Sequence, residues 1–190
     1  MKTKFFKSLL AIACLLSSMN VLAQESSFVV DGIFYNGEFG DTICMVKYGG
    51  KPYTKEDITI PETVVYNNKR ITVIGIDNSS FADCDNLKKV TIPNTAIYIG
   101  KTAFQNCSSL TNVTIPNSVT GIGHHAFENC TGLTTLYSLN PIPPKMQDKN
   151  CFDNEHYERL KVFVPRSALA KYKQAEGWKN FKNLRAFDPK

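Results

Sequence analysis

Cys107-Ser108-Ser109-Leu110-Thr111-Asn112-Val113-Thr114-Ile115-Pro116 decides the fold, because the same phrase stands 23 residues earlier and 23 residues later. Upstream it reads Cys84-x-x-Leu87-x-x-Val90-x-Ile92-Pro93, and downstream Cys130-x-x-Leu133-x-x-Leu136. The join between phrases returns as well, as Ile99-Gly100-Lys101-Thr102-Ala103-Phe104 and then Ile122-Gly123-His124-His125-Ala126-Phe127. A fixed period of about 20 to 29 residues with apolar residues at fixed offsets marks a stacked solenoid, in which no coil can bury its apolar edge without its neighbours.

Inside one phrase, Leu-x-x-Val-x-Ile has the alternation of a short strand, with Val90 and Ile92 inward and Lys89 and Thr91 outward. The proline that follows has no N–H to give to a ladder, so it ends the strand and turns the chain. A second apolar pair, Ala96 and Ile99 or Val119 and Ile122, supplies the opposing wall, and Gly100 and Gly123 are expected to permit the next bend. Phe81, Phe104 and Phe127 hold one position in successive coils, which predicts an aromatic spine set in short helical or 3₁₀ turns.

Outward from these coils the pattern loosens. Ile58-Thr59-Ile60-Pro61 matches Val90–Pro93 but lies 32 residues upstream, so nine extra residues fit a polar hairpin around Tyr66-Asn67-Asn68-Lys69-Arg70. After Leu136, Asn140-Pro141-Ile142-Pro143-Pro144 interrupts the phrase, which returns once as Leu160-Lys161-Val162-Phe163-Val164-Pro165. About five coils result, spanning residues 58–165, with the outer ones degenerate. Residues 24–57 read as short hairpins built from Phe28–Val30, Ile33–Tyr35 and Ile43–Val46, forming an N-terminal cap over an otherwise open strand edge. Residues 166–190 read as a C-terminal helical cap. There Ser167 is the expected N-cap of a helix from Ala168 to Glu176, Leu169, Tyr172 and Ala175 share a face, and Gly177 is the stop.

Residues 1–23 read as a signal peptide: Lys2, Lys4 and Lys7 precede an apolar run around Leu9–Leu16, and Val21-Leu22-Ala23 offers a small-residue cleavage site. A lipoprotein signal placing Cys14 at the new N-terminus is the second reading, with only Ser8–Ala13 as its hydrophobic core. No other run approaches the roughly 18 apolar residues that span a bilayer. The expected location is therefore outside the cytoplasm, whether secreted, at the cell surface or in the periplasm.

The formal charge of +5 includes three lysines of that leader, so most of the basic impression comes from targeting. What remains is uneven: residues 24–158 hold 10 Lys/Arg against 15 Asp/Glu, and residues 159–190 hold 9 against 2. A mildly acidic body carries a basic end, which suits acidic glycans, phosphates or a membrane surface, or is simply solvated surface. Five cysteines follow the leader. Cys84, Cys107 and Cys130 would stack at about 4.8 Å, all pointing inward in parallel. Parallel side chains do not supply a disulfide dihedral, so a column of buried thiols acting as small hydrophobes is the better account. Single cysteines 23 apart, with no Cys-x-x-Cys pair, make a poor zinc site.

The phrase, the opening Asp31-Gly32-Ile33-Phe34-Tyr35 and the closing Val164-Pro165 through Gly177-Trp178 and Phe181 resemble the BspA-like bacterial leucine-rich repeats. Their coil has the form Cys-x-x-Leu-x-x-Ile-x-Ile-Pro-x-x-Val-x-x-Ile-x-x-x-Ala-Phe, and the resemblance runs from about Phe28 to Phe187. It implies a β-rich leucine-rich-repeat solenoid with short helical or 3₁₀ turns, exported by anaerobic, host-associated bacteria. Some members are adhesins that bind host matrix proteins or other cells, and the family has no shared catalytic residues. The chain is shorter than large surface adhesins, so a periplasmic or secreted structural or accessory protein with a bacterial partner is the alternative.

Repetition also defines the candidate ligand face, since each outward strand position forms a column. One column is Thr59, Thr91, Thr114, Tyr137 and Phe163, and its neighbour is Asp57, Lys89, Asn112, Thr135 and Lys161. The change from Thr to Tyr and Phe is informative because aromatics are enriched in contact surfaces; alternatively, both rings pack under the 141–144 loop or the final helix. The expected ligand is a protein or glycan, with no nucleic acid, cofactor or metal. His124-His125 are read as solvent-exposed turn residues that point apart, with no carboxylate placed to complete a metal site. No Gly-x-Ser-x-Gly elbow, Cys/His pairing or phosphate loop is present, so no enzyme is expected.

Overall fold

The computed structural model describes residues 26–37 and 42–188; the signal-peptide and Cys14 readings lie outside them. Two sheets face each other across one core. The first contains β1 (Ser26–Val30), β2 (Ile33–Gly37), β3 (Ile43–Val46), β6 (Lys69–Ile76), β8 (Tyr98–Ile99), β10 (Gly121–Ile122) and β12 (Lys145–Met146) in that order, with β5 (Thr63–Tyr66) paired to β6. The second contains β4 (Asp57–Thr59), β7 (Lys89–Thr91), β9 (Asn112–Ile115), β11 (Thr135–Ser138), β13 (Lys161–Pro165) and β14 (Asn183–Phe187), every pair parallel. This is a leucine-rich-repeat solenoid, each coil contributing one short strand to either sheet.

A third ladder closes the coil. The turns that follow β6, β8 and β10 stack through main-chain bonds, Phe81 N to Ala103 O at 2.8 Å and Phe104 N to Ala126 O at 2.8 Å. Each turn needs two left-handed residues, and these recur 23 apart: Ser79, Thr102 and His125, then Asp83, Asn106 and Asn129. Asn and Asp tolerate that conformation, and here they also bond between coils. Asn106 donates to Asp83 at 2.7 Å and Asn129 donates to Asn106 at 2.9 Å. A second side-chain ladder runs past β6, β8 and β10, with Thr95, Ser118 and Asn140 donating to the carbonyls of Val73, Ala96 and Val119.

Gly100 and Gly123 depart from their expected role. Neither has a positive φ, so neither is needed to bend the chain. A Cβ on Gly123 would lie 2.5 Å from the Lys101 nitrogen, and one on Gly100 would lie 2.6 Å from the Asn78 nitrogen. The glycines are there because successive coils approach backbone to backbone.

The core follows the repeat. Phe81, Phe104 and Phe127 stack with centroids 5.3 Å apart and planes within 9°. The column continues beyond the expected three rings, through Phe152 at 5.0 Å on one side and a tilted Tyr53 at 5.1 Å on the other. The five described cysteines are free and buried. The Cys107 thiol donates to Phe81 O at 3.1 Å and the Cys130 thiol to Phe104 O at 3.0 Å, so each also caps a turn carbonyl of the coil before. The insertion after Ile60 is the β5–β6 hairpin, with Asn67 and Asn68 both left-handed as a two-residue hairpin turn requires.

The C-terminal segment departs in detail from its sequence reading. A 3₁₀ turn covers Arg166–Ala168, and the helix α2 is Leu169–Gln174, with Ala168 and not Ser167 at its N-cap. Before β13 lies a short helix, α1 (Asn154–Arg159), that the sequence reading does not contain. Tyr172 is fully buried; its hydroxyl donates to Asn140 O at 2.9 Å and bonds the Ser138 hydroxyl at 2.7 Å. Buried Trp178 donates its indole N–H to Pro144 O at 2.7 Å.

Candidate binding face

The all-parallel second sheet carries the expected columns in register. Asp57 pairs with Lys89, Lys89 with Asn112, Asn112 with Thr135, and Thr135 with Lys161. Beside them, Thr59 pairs with Thr91, Thr114 with Tyr137, and Tyr137 with Phe163. The alternating residues Ile58, Val90, Val113, Leu136 and Val162 are buried, which is what turns the columns outward. Thr91, Thr114, Lys89, Asn112 and Lys161 are exposed, while Thr135, Tyr137 and Phe163 are half-buried.

β14 was missed in the sequence, and it adds a sixth rung. Asn183 extends the first column beyond Lys161, and Arg185 extends the second beyond Phe163. The stretch Asn183–Phe187 lacks the Leu-x-x-Val-x-Ile-Pro phrase; its only signal is the alternation of Leu184 and Ala186 with Asn183 and Arg185. A bidentate ion pair fastens the strand end, with Arg166 Nε to Asp188 Oδ1 at 3.0 Å and Nη2 to Oδ2 at 2.9 Å.

The two aromatic residues of the face contact each other and β14. Tyr137 and Phe163 stack at 4.9 Å with planes 16° apart, and Phe187 meets Tyr137 edge-on at 5.5 Å and 83°. These are the aromatic contacts that the two rings make.

Other chemical groups are occupied. His124 Nδ1 lies 2.5 Å from Asp148 and His125 Nδ1 lies 3.1 Å from Glu128, so, against expectation, each imidazole has a carboxylate beside it. The fold brings up Asp148, far along the chain, to reach His124. Bonding to His124 and to the Asn150 N–H holds the Asp148 carboxyl below its ordinary range despite the opposing effect of burial. Among the described residues no three His, Cys, Asp or Glu side chains converge as metal ligands. Burial pushes the thiols up, Cys44 and Cys130 to about 12 and Cys84 to about 11, with Cys107 and Cys151 also raised; they are poor nucleophiles. An open hollow of about 420 Å³ between α1 and Asn180 holds Glu155 and Glu158. Both carboxylates are engaged, with Arg159 at 3.1 Å and Lys182 at 2.5 Å. No helix among the described residues is long and apolar enough to cross a membrane.

Residues 74–164 match the model of the BspA type leucine rich repeat region in six copies. Among solved structures, a leucine-rich repeat protein from Bacteroides capillosus aligns with a TM-score of 0.59 at 24% identity, over 74% of this chain and 99% of that one. A leucine-rich repeat protein from Bacteroides ovatus aligns at 0.57 and 23%, over 85% of this chain and 41% of that one. A leucine rich cell surface protein from Faecalibacterium prausnitzii aligns at 0.56 and 23%, over 86% and 42%. This chain thus spans about two fifths of the length of the latter two. No curated protein matches the chain significantly.

Proposed function

Because residues 74–164 belong to the BspA-type leucine-rich repeats, a fold that serves interaction, we propose that this protein is an exported, non-enzymatic binding protein. It adheres to a host protein, a glycan or another cell through the outer face of its all-parallel sheet. The observation that carries this reading is the register of that face: one residue from each coil stands in line, and the line turns from threonine to Tyr137 and Phe163 where the charge turns positive. A repeated scaffold of this kind presents a flat, addressable surface. The relative named as a cell surface protein supports surface display.

The test is binding of the purified chain to immobilised matrix proteins and to glycan arrays, compared with Tyr137→Ala, Phe163→Ala and Lys161→Ala. A ligand of micromolar affinity that each substitution weakens about tenfold supports the face. Ligand binding indifferent to all three substitutions, or no binding at all, counts against it.

A further inference from the structure

The outer face holds more than a set of columns; it holds a step. Thr59, Thr91 and Thr114 are exposed and short, and the next residue in their column is a ring. Phe163 covers one side of that ring at 4.9 Å, so the opposite side of Tyr137 looks back along the column over Thr114, a side chain too small to cover it. Phe187 stands nearly perpendicular to the ring, with centroids 5.5 Å apart. The result is an aromatic wall above a hydroxyl floor, held in place before any ligand arrives, which lowers the ordering cost of binding.

The neighbouring column supplies the polar side. It runs Lys89, Asn112, Thr135, Lys161, so an amide and a hydroxyl beside the wall are flanked by two ammonium groups, three strand spacings or roughly 14 Å apart. From β7 to β14 the two columns contain Lys89, Lys161 and Arg185 and no carboxylate. Among the described residues these three cations have no ion-pair partner, whereas the nearby Arg166 and Lys182 are paired with Asp188 and Glu158.

Resting on the binding face assigned above, we propose that its ligand is an acidic polysaccharide, with one sugar ring stacked on Tyr137 over Thr114 and its carboxylate or sulfate groups met by Lys89, Lys161 and Arg185. A pyranose ring offers a face of C–H groups to the electron-rich face of an aromatic ring. Its hydroxyls match Asn112 and Thr135, and its charges match the lysines. A protein ligand fits less well, because the centres of protein interfaces are depleted in lysine and built around desolvated anchors. Here the stacked pair Tyr137 and Phe163 stands in register beside Thr114, Thr135 and Lys161. Evenly spaced rungs also suit a polymer with a regular repeat.

The experiment measures binding of the purified full chain to hyaluronan fragments, which carry only uronate, to heparin fragments, which add sulfate, and to neutral dextran. Saturable binding to one or both acidic glycans and none to dextran is expected. Tyr137→Ala weakens it about tenfold at both low and high salt, because stacking is not screened, whereas Lys161→Ala weakens it about tenfold at about 50 mM NaCl and much less at about 300 mM. Thr114→Trp fills the step from an exposed position and blocks binding while leaving the melting curve unchanged. Equal binding to dextran overturns the proposal, as does loss of glycan binding only when Lys171, Lys173 and Lys179 on the far segment are replaced. No glycan bound, but a protein ligand that Thr114→Trp displaces, overturns the polysaccharide and leaves the face standing. Ligands of any class that ignore both Thr114→Trp and Tyr137→Ala overturn the face as well.

Discussion

Between Phe81 and Leu136 the buried contacts recur 23 residues apart, whereas the segment from Leu139 to Asp188, which continues the phenylalanine column through Phe152, adds buried contacts that have no copy in the coils. In the regular coils, Phe104 stacks on Phe81 and is stacked on by Phe127, and the Cys107 and Cys130 thiols bond the same carbonyl of successive turns. In the terminal segment, Tyr172, Ser138 and Asn140 form one buried polar cluster, Trp178 reaches Pro144, and Phe181 packs on Phe152 edge to face at 5.2 Å. A repeat propagates a core but cannot end one, since its last coil would expose the same apolar edge that every earlier coil hides. Ending it takes side chains of other shapes and polar groups that bond in places the repeat does not provide.

The largest break in this contrast is expected from the middle of the phenylalanine column. Phe104→Ala removes a fully buried ring stacked on both faces, and should destabilise the chain by about 3–5 kcal/mol in urea unfolding followed by circular dichroism. Phe163→Ala removes a half-buried ring of the outer face and should cost only about 1 kcal/mol. Equal losses at the two positions would mean that the outward aromatics belong to the core, and the face would lose its standing as a surface for ligands.

Smaller, and sharper on mechanism, is the effect of adding one methyl group. Gly123→Ala places a Cβ 2.5 Å from the backbone of the preceding coil, where nothing flexible can yield, and should cost about 1–3 kcal/mol. Gly50→Ala is the control: its φ is +83° but open space surrounds it, so its cost is the backbone preference alone, about 1 kcal/mol. If Gly123→Ala proves harmless, the coils are not held apart by contact at the glycine.

Repetition also explains what could be read from the residues. Leu87, Val90, Phe104, Cys107 and Ile122 were legible as core because each has a copy at the same offset, and the columns through Lys89, Asn112, Thr114 and Tyr137 follow from the same arithmetic. β14 was not legible, because a strand of Asn-Leu-Arg-Ala-Phe has no phrase to match and takes its place from Arg166–Asp188 and from packing on α2. α1 was hidden for a similar reason: its capping box joins Asp153 to His156, and that histidine's Nε2 bonds Cys130 O of the coil before. The reason for Gly100 and Gly123 was misread because sequence shows that a glycine recurs, not whether it serves a turn or a close approach.

The subtlest expected effect is a dependence on pH that His156 brings to the terminal segment. His156 is 1% exposed; its Nε2 lies 2.9 Å from Cys130 O, and its Nδ1 lies 3.3 Å from both the Asp153 N–H and the Asp153 carboxylate. Burial favours the neutral ring and lowers the affinity of His156 for a proton, with Arg159 acting in the same sense and the Cys130 carbonyl, Asp153 and Glu155 opposing. The unfolded chain therefore binds the proton more readily than the folded one. The contribution of His156 is whole above the ordinary value of 6.5 and drains away as the pH falls through 6.5 toward the lower folded value. Urea midpoints measured from about pH 7.5 down to about pH 5 should fall for the native chain and fall less for His156→Gln, which can still donate to Cys130 O but does not titrate. Parallel curves would show that the neutral imidazole contributes nothing to closing the last coil, and would leave the buried Tyr172, Ser138 and Asn140 cluster as the polar device that ends the repeat.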